Sequence, residues 1–171
     1  MANIWLSSDL HLGHANILKF KDKDGKNVRS FSSVEEMNET LIQRHNSLVK
    51  PEDHWYNLGD VYFGHRDNMK LLHRFNGRKR LVLGNHDNIK QGFEQFFEKI
   101  VLIRHFKDFD FVASHMPLHE SQLYSYKYNV HGHIHQNEDV SPNHLNISVE
   151  RTNYYPVHID QIAEMFKEKQ K

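Results

Sequence analysis

Short apolar runs recur along the chain, and each of them ends in polar residues. Residues 4–8, 54–58 and 79–83 have this pattern, which is typical of buried strands. Further strands are predicted at residues 101–104, 109–114 and 128–131, and residues 145–149 alternate between apolar and polar positions. Helical segments separate several of these runs, so the pattern predicts a sheet with helical connections.

The helical segments have the 3.6-residue period and recognisable ends. Residues 33–36 have the sequence Ser-Val-Glu-Glu, a capping-box pattern, and apolar residues follow at helical spacing up to Leu48. Residues 67–75 and 93–97 predict shorter helices. Residues 160–169 predict an amphipathic helix with Ile162, Met165 and Phe166 on one face.

Length and composition indicate one globular domain, residues 1–171, since no repeat, linker or low-complexity segment divides the chain. Lys and Arg together number 22, as do Asp and Glu, so the net charge is zero. That balance argues against binding to nucleic acid or membrane through bulk charge, although a few residues could still hold a nucleotide. Cysteine is absent, which excludes disulfides and thiolate chemistry. The N-terminal residues resemble neither a signal peptide nor a membrane span, so we expect a cytoplasmic protein.

Side chains that bind metals follow the predicted strands in five short blocks. The blocks are Asp9-Leu10-His11, Gly59-Asp60, Gly84-Asn85-His86-Asp87, His115 and Gly132-His133-Ile134-His135. In open α/β sheets, ligands bind in the crevice beyond the carboxyl ends of the strands, so the fold can gather these blocks at one edge. Carboxylate, amide and imidazole donors suit two divalent ions, a standard device for attacking phosphate esters.

The residue types suggest how the ligands divide between two ions. Asp60 is the candidate bridge, because a carboxylate can bind one ion with each oxygen. Asp9, His11 and one later imidazole would complete the first site, and Asn85, His115 and another imidazole the second. His133 and His135 are two residues apart, so they would share one face if the strand continued through them.

These five blocks, in this order from Asp9 to His135, resemble the calcineurin-like metallophosphoesterase superfamily. The resemblance implies an α/β fold, a four-layer αββα sandwich of two mixed sheets flanked by helices. It also implies that Asp9, His11, Asp60 and His135 hold one ion. The second ion would be held by Asp60, Asn85, His115 and His133. His86 would protonate the leaving oxygen or stabilise the transition state, and Asp87 would orient His86.

The chain length, residues 13–17 and residues 29–31 look like a small bacterial and phage branch of that superfamily. The implied activity is hydrolysis of a small phosphodiester or phosphomonoester, nucleotides included, with a metal-bridging hydroxide as nucleophile. The resemblance makes Mn²⁺ the expected activating ion, while Fe, Zn, Ni or Co would also suit the mixed ligands. The sequence offers no insertion for a cap domain, so short loops must select the substrate.

Three further residues are candidates for substrate binding. His14 and Asn16 follow the first block, where they would contact phosphate or serve as a helix cap or turn. Arg29 would clamp a phosphate through its two-pronged guanidinium, or else be a solvated surface residue. The sequence does not predict an oligomeric state.

Two other functions are compatible with the same fold. A non-catalytic interaction module would keep the fold without needing the site, but here every proposed ligand and His86 are present. A nuclease acting on polymeric DNA or RNA is the other alternative. The neutral charge and the lack of an added binding domain count against it.

Overall fold

The computed structural model describes residues 2–89 and 92–170, which form two β-sheets. The strands of the first sheet are β1 (Ile4–Ser7), β2 (His54–Asn57), β3 (Arg78–Val82), β4 (Lys99–Val101) and β9 (Val157–His158). Their order is β4-β3-β2-β1-β9, and β9 alone is antiparallel to its neighbour. The strands of the second sheet are β5 (Ile103–Phe106), β6 (Phe111–Ser114), β7 (Tyr128–His131) and β8 (His144–Asn146). They lie in that order, with only β5 antiparallel.

Alternate residues of the first sheet enter two different hydrophobic cores. Trp55 and Leu81 pack in the core that contains α1 (Val34–Leu48). Tyr56 and Val82, their neighbours along the chain, pack against residues of the second sheet. Successive side chains of a strand point to opposite faces, so the apolar runs of the sequence reflect a sheet covered on both sides. The two mixed sheets predicted from the resemblance are confirmed.

The first helix begins where its predicted cap lies. The Ser33 side chain accepts a hydrogen bond from the Glu36 backbone N–H and starts α1. The predicted C-terminal helix is α2 (Ile159–Glu168), and its Phe166 stacks on Tyr128 of β7 with ring centroids 4.1 Å apart. The shorter predicted helices are 3₁₀ helices, Arg66–Arg74 and Phe93–Phe96. Within the described residues, no helix has the length and apolar character needed to cross a membrane.

One predicted strand is wrong. Residues 101–104 are not a single strand, because Val101 ends β4 of the first sheet and Ile103 begins β5 of the second. Leu102 lies between them and is 72% exposed. The chain therefore crosses from one sheet to the other inside an unbroken apolar run, and a hydrophobicity pattern cannot mark such a crossing.

Candidate metal centre

The five sequence blocks lie in loops that follow strands, as predicted from the strand ends. Asp9, Asp60 and Asn85 come after the parallel strands β1, β2 and β3. His115 and His133 come after the parallel strands β6 and β7. The carboxyl ends of parallel strands lie at the same edge of a sheet, and the two packed sheets bring their edges together.

Two groups of three side chains are placed so that each could hold a metal ion. One consists of Asp9, His11 and His135, and the other of Asp60, His115 and His133. In each group the three donor atoms lie within 4.8 Å of one another. The division matches the assignment that the resemblance implies, with Asn85 Oδ1 lying 2.9 Å from His115 Nε2 beside the second group.

Much of this centre depends on left-handed backbone. Of the seven predicted ligands, five have positive φ, namely Asp9 (59°), His11 (50°), Asp60 (54°), His133 (68°) and His135 (50°). Such angles cost about 1–3 kcal/mol each in residues other than glycine, and they concentrate at functional sites. The expectation that His133 and His135 share a strand face is wrong, because β7 ends at His131. Left-handed turns nevertheless place the two imidazoles in the two adjacent groups, so both reach the centre from one segment, as their spacing was expected to allow.

Asp60 lies between the two groups. Its Oδ2 is 3.6 Å from Nε2 of His11 and 3.4 Å from Nε2 of His115. Its Oδ1 accepts a hydrogen bond from the His86 backbone N–H at 3.0 Å. Gly84 is needed beside it, since a Cβ at that position would lie 2.3 Å from Asp60 Oδ1. The carboxylate therefore faces one imidazole of each group, as a bridging ligand would.

Hydrogen bonds set the orientation of two of the imidazoles. His115 Nδ1 lies 2.8 Å from the Leu58 carbonyl oxygen, which can only accept a hydrogen bond, so Nδ1 carries the hydrogen and donates it. His135 Nδ1 lies 2.9 Å from Oε1 of Glu150 and donates to it in the same way. In both rings this leaves the Nε2 lone pair directed into the centre, which is how second partners commonly prepare histidine ligands.

Buried polar atoms without partners also fit a metal ion. Asp9 Oδ1 and His11 Nε2 are shielded from solvent and have no hydrogen-bond partner among residues 2–89 and 92–170. The other oxygen of Asp9, Oδ2, accepts hydrogen bonds from the His133 N–H and the Ser148 hydroxyl, each at 2.9 Å. Buried donors and acceptors are rarely left unsatisfied, so Asp9 Oδ1 and His11 Nε2 are suited to coordinate a cation.

Burial and neighbouring charges shift the pKa values of several side chains in the centre. Burial raises the pKa of the Asp9 carboxyl, and burial together with the nearby Arg29 lowers the pKa of His11 to about 2. Burial also acts to raise the pKa of Asp60, but its contacts with His115 outweigh this and lower the pKa to about 2. The same contacts overcome burial in His115 and raise its pKa. A divalent cation would compete with protons for these lone pairs, so metal binding and protonation oppose each other here.

Asp87 was expected to orient His86, but in the structure its side chain contacts backbone N–H groups instead. Its carboxylate accepts hydrogen bonds from the backbone N–H groups of Asp60, Val61 and Gly84 at 2.8–3.0 Å. Among the described residues, it makes no ion pair with the His86 ring. Asp87 therefore fixes the loop that carries Asp60, because its oxygens are occupied by backbone donors. His86 itself is exposed, and its ring centroid lies 5.9 Å from that of His11.

The predicted substrate contacts lie in three different environments. The His14 ring stacks on Phe63 with centroids 4.0 Å apart, and it lies 5.3 Å from the His11 ring, beside the centre. His14 holds the N-cap position of the 3₁₀ helix Ala15–Lys19, but its side chain makes no capping bond. Asn16 is exposed, and its Oδ1 accepts a hydrogen bond from Lys19.

Both interpretations of Arg29 are corrected. Its side chain is 0% exposed, so it is neither a solvated surface residue nor able to clamp a phosphate. The guanidinium donates to the carbonyl oxygens of Asp9 and Leu10 and forms an ion pair with Glu150, with Nη2 2.8 Å from Oε1. Arg29 thus stabilises the loop of residues 9–11, because its guanidinium N–H groups donate to acceptors within the protein.

Glu150 and Ser148 are residues of the centre that the five blocks did not include. Glu150 joins His135 to Arg29, and Ser148 holds one oxygen of Asp9. Both follow β8; Ser148 lies within the alternating segment 145–149, and Glu150 comes directly after it. Polar residues after a strand were the signal that identified the other blocks, so the same criterion could have found Glu150. Ser148 lies inside the alternating segment and carried no such signal.

Comparisons with known proteins show the family of this chain. The family model for calcineurin-like phosphoesterases matches residues 2–170. An uncharacterized protein from Methanocaldococcus jannaschii is 35% identical over 177 residues, which cover 98% of this chain and 93% of that protein. The gene 66 protein of Mycobacterium phage L5 is 34% identical over 93 residues, 51% of this chain and 41% of the phage protein.

The fold also has a close counterpart among solved structures. A protein of unknown function from Aquifex aeolicus superposes with a TM-score of 0.78 over 96% of this chain and 100% of its own. Its sequence identity is 24%, so this likeness bears on the fold alone. Family membership rests on the match of the family model, which confirms the resemblance inferred from the sequence motifs. The chain belongs to the calcineurin-like phosphoesterase family.

Proposed function

We propose that this protein is a metal-dependent hydrolase of small phosphate esters that uses two divalent ions, Mn²⁺ being the ion to supply in an assay. The observation that carries the proposal is the pair of three-residue groups, each with its donor atoms within 4.8 Å of one another. Asp60 faces an imidazole of each group, which supports its role as a shared ligand. Hard and borderline O and N donors of this kind do not choose sharply among Mn, Fe, Zn, Ni and Co.

Two bound divalent ions would lower the pKa of a coordinated water and neutralise charge on the phosphoryl oxygens. The protein would contribute geometry, because hydrogen bonds from His115 to Leu58 and from His135 to Glu150 fix two imidazoles in place. Ligands held in this way need little reorganisation during the reaction.

His86 is the residue we propose to act on the leaving group. Its side chain is exposed at the rim of the centre, while its backbone N–H is fixed to Asp60 Oδ1. An imidazole placed there can donate a proton to the departing oxygen or a hydrogen bond to a phosphoryl oxygen. A scaffold protein would have no need of an exposed imidazole at the rim of the centre.

The experiment that tests the function is hydrolysis of bis-p-nitrophenyl phosphate and p-nitrophenyl phosphate by metal-free protein, with and without added Mn²⁺. A chelator is the control. We expect nitrophenol release that depends on Mn²⁺ and stops on chelation. If both ions bind but neither ester is cleaved, the proposal fails and the interaction-module alternative takes its place.

A further inference from the structure

A first pocket adjoins the metal centre through His133 and His135. It has a volume of about 290 Å³, and Phe20, Gln136 and Asn137 are among its lining residues. Phe20 is 50% exposed, and its ring meets the His14 ring edge-on with centroids 5.7 Å apart. An exposed aromatic face beside two side-chain amides suits a planar group with polar edges, because it offers stacking and hydrogen bonds together. We call this the aromatic pocket.

A second pocket adjoins the centre through Asn85 and His115. It has a volume of about 270 Å³, and its apolar side chains include those of Leu102, Ile103 and Met116. These three are 72%, 42% and 45% exposed, respectively. None of its described lining residues is Lys, Arg, Asp or Glu. Exposed apolar side chains grouped beside a site indicate an apolar ligand. We call this the apolar pocket.

The two pockets are distinct but meet at the metal centre. Within the part of the chain that the structure describes, they share no lining residue. The His133 ring of the aromatic pocket and the His115 ring of the apolar pocket have centroids 5.1 Å apart. A phosphate held at the centre would therefore have two separate pockets beside it. A phosphomonoester carries one organic group and would fill one pocket, whereas a phosphodiester carries two.

We propose that the substrate is a phosphodiester with two unlike organic groups, a planar polar-edged one in the aromatic pocket and an apolar one in the apolar pocket. This inference rests on the proposed hydrolase activity and extends it, because it selects diesters over monoesters. It also assigns selectivity to two pairs of segments, residues 20–21 with 136–137 and residues 102–103 with residue 116.

The test compares three esters, namely bis-p-nitrophenyl phosphate, methyl p-nitrophenyl phosphate and p-nitrophenyl phosphate. Each is assayed with the Mn²⁺-loaded protein and with the variants Phe20→Ala and Met116→Ser. Both side chains are about half exposed, so the substitutions should leave the fold intact. Val140→Ser is the matched control, since Val140 is an exposed apolar residue that lines neither pocket.

We expect kcat/KM for the bis-aryl diester to fall about tenfold in each pocket variant, mainly through KM, and to stay unchanged in the control. The methyl diester has only one large group, so only one of the two variants should impair it. Two results would overturn the inference while leaving the hydrolase intact: cleavage of the monoester alone, or a bis-aryl diester unaffected by both variants. Absence of cleavage of all three esters would instead contradict the proposed function.

Discussion

The Nδ1 atom of His135 lies 2.9 Å from the Glu150 carboxylate oxygen Oε1, which also lies 2.8 Å from Nη2 of Arg29. The buried Glu150 carboxylate thus connects the His135 imidazole to the Arg29 guanidinium. Burial would raise the pKa of Glu150, but Arg29 and His135 outweigh burial and lower it to about 2. Glu150 is therefore ionised throughout the physiological range, and its contact with Nδ1 fixes the His135 ring.

Glu150→Gln should weaken metal binding about 10- to 100-fold while keeping the side-chain shape, because a neutral amide holds His135 less firmly. Titration calorimetry of the metal-free protein with Mn²⁺ measures the change. Glu138→Gln, an exposed acidic residue in the same stretch of chain, is the control. Equal affinities for the two variants would show that Glu150 has no part in holding the ligand.

Arg29→Met should destabilise the fold by about 3–5 kcal/mol, because it leaves Glu150 as an uncompensated buried charge. Urea unfolding gives the free energy of unfolding. The control is Arg78→Met, which breaks an ion pair with Glu98 between half-exposed side chains and should cost about 1 kcal/mol or less. Similar losses in both variants would contradict the supporting role of Arg29.

Asp60→Asn should weaken both metal sites together, because one oxygen of Asp60 faces His11 of one group and His115 of the other. The amide lacks the negative charge needed to bridge two cations. Metal content after dialysis, measured by mass spectrometry, should fall for both ions. A variant that loses one ion and retains the other would show that Asp60 belongs to one site.

His86→Ala should reduce turnover about 10²- to 10⁴-fold with both ions still bound, because its exposed ring is proposed to act on the leaving group. Steady-state hydrolysis and metal analysis on the same preparation separate the two effects. His105→Ala, another exposed histidine, serves as the control. Loss of a metal ion from His86→Ala would make His86 a ligand instead.

His45 should make stability depend on pH. It is buried against Trp55 and Phe75, and burial lowers its pKa from 6.5 to about 4. The unfolded chain binds the proton more readily, so the contribution of neutral His45 is present above pH 6.5 and is lost as pH falls towards 4. The loss amounts to at most about 3 kcal/mol.

The measurement is the free energy of unfolding between pH 7.5 and about pH 4, for the protein and for His45→Phe. Other groups titrate in this range, so the difference between the two curves is the relevant quantity. The variant should lose less stability on acidification. Parallel curves would mean that His45 is protonated in the folded state as readily as in the unfolded chain.

The sequence by itself determined the local features and the chemistry of this protein. Apolar runs located most strands, since a sheet covered on both faces needs apolar residues at successive positions. The Ser33 cap located the start of α1, because capping involves residues only three apart. The blocks from Asp9 to His135 identified the family, because metal ligands must keep their chemical type.

Tertiary structure decided what depends on contacts between distant residues. Arg29 and Glu150 are 121 positions apart, so no local pattern could show that they form a buried pair behind the centre. The crossing between sheets at Leu102 could likewise not be predicted from the sequence. The same holds for the left-handed turns at His133 and His135. The local sequence does not favour these backbone conformations. They are maintained because packing and hydrogen bonds with distant residues outweigh the local conformational cost.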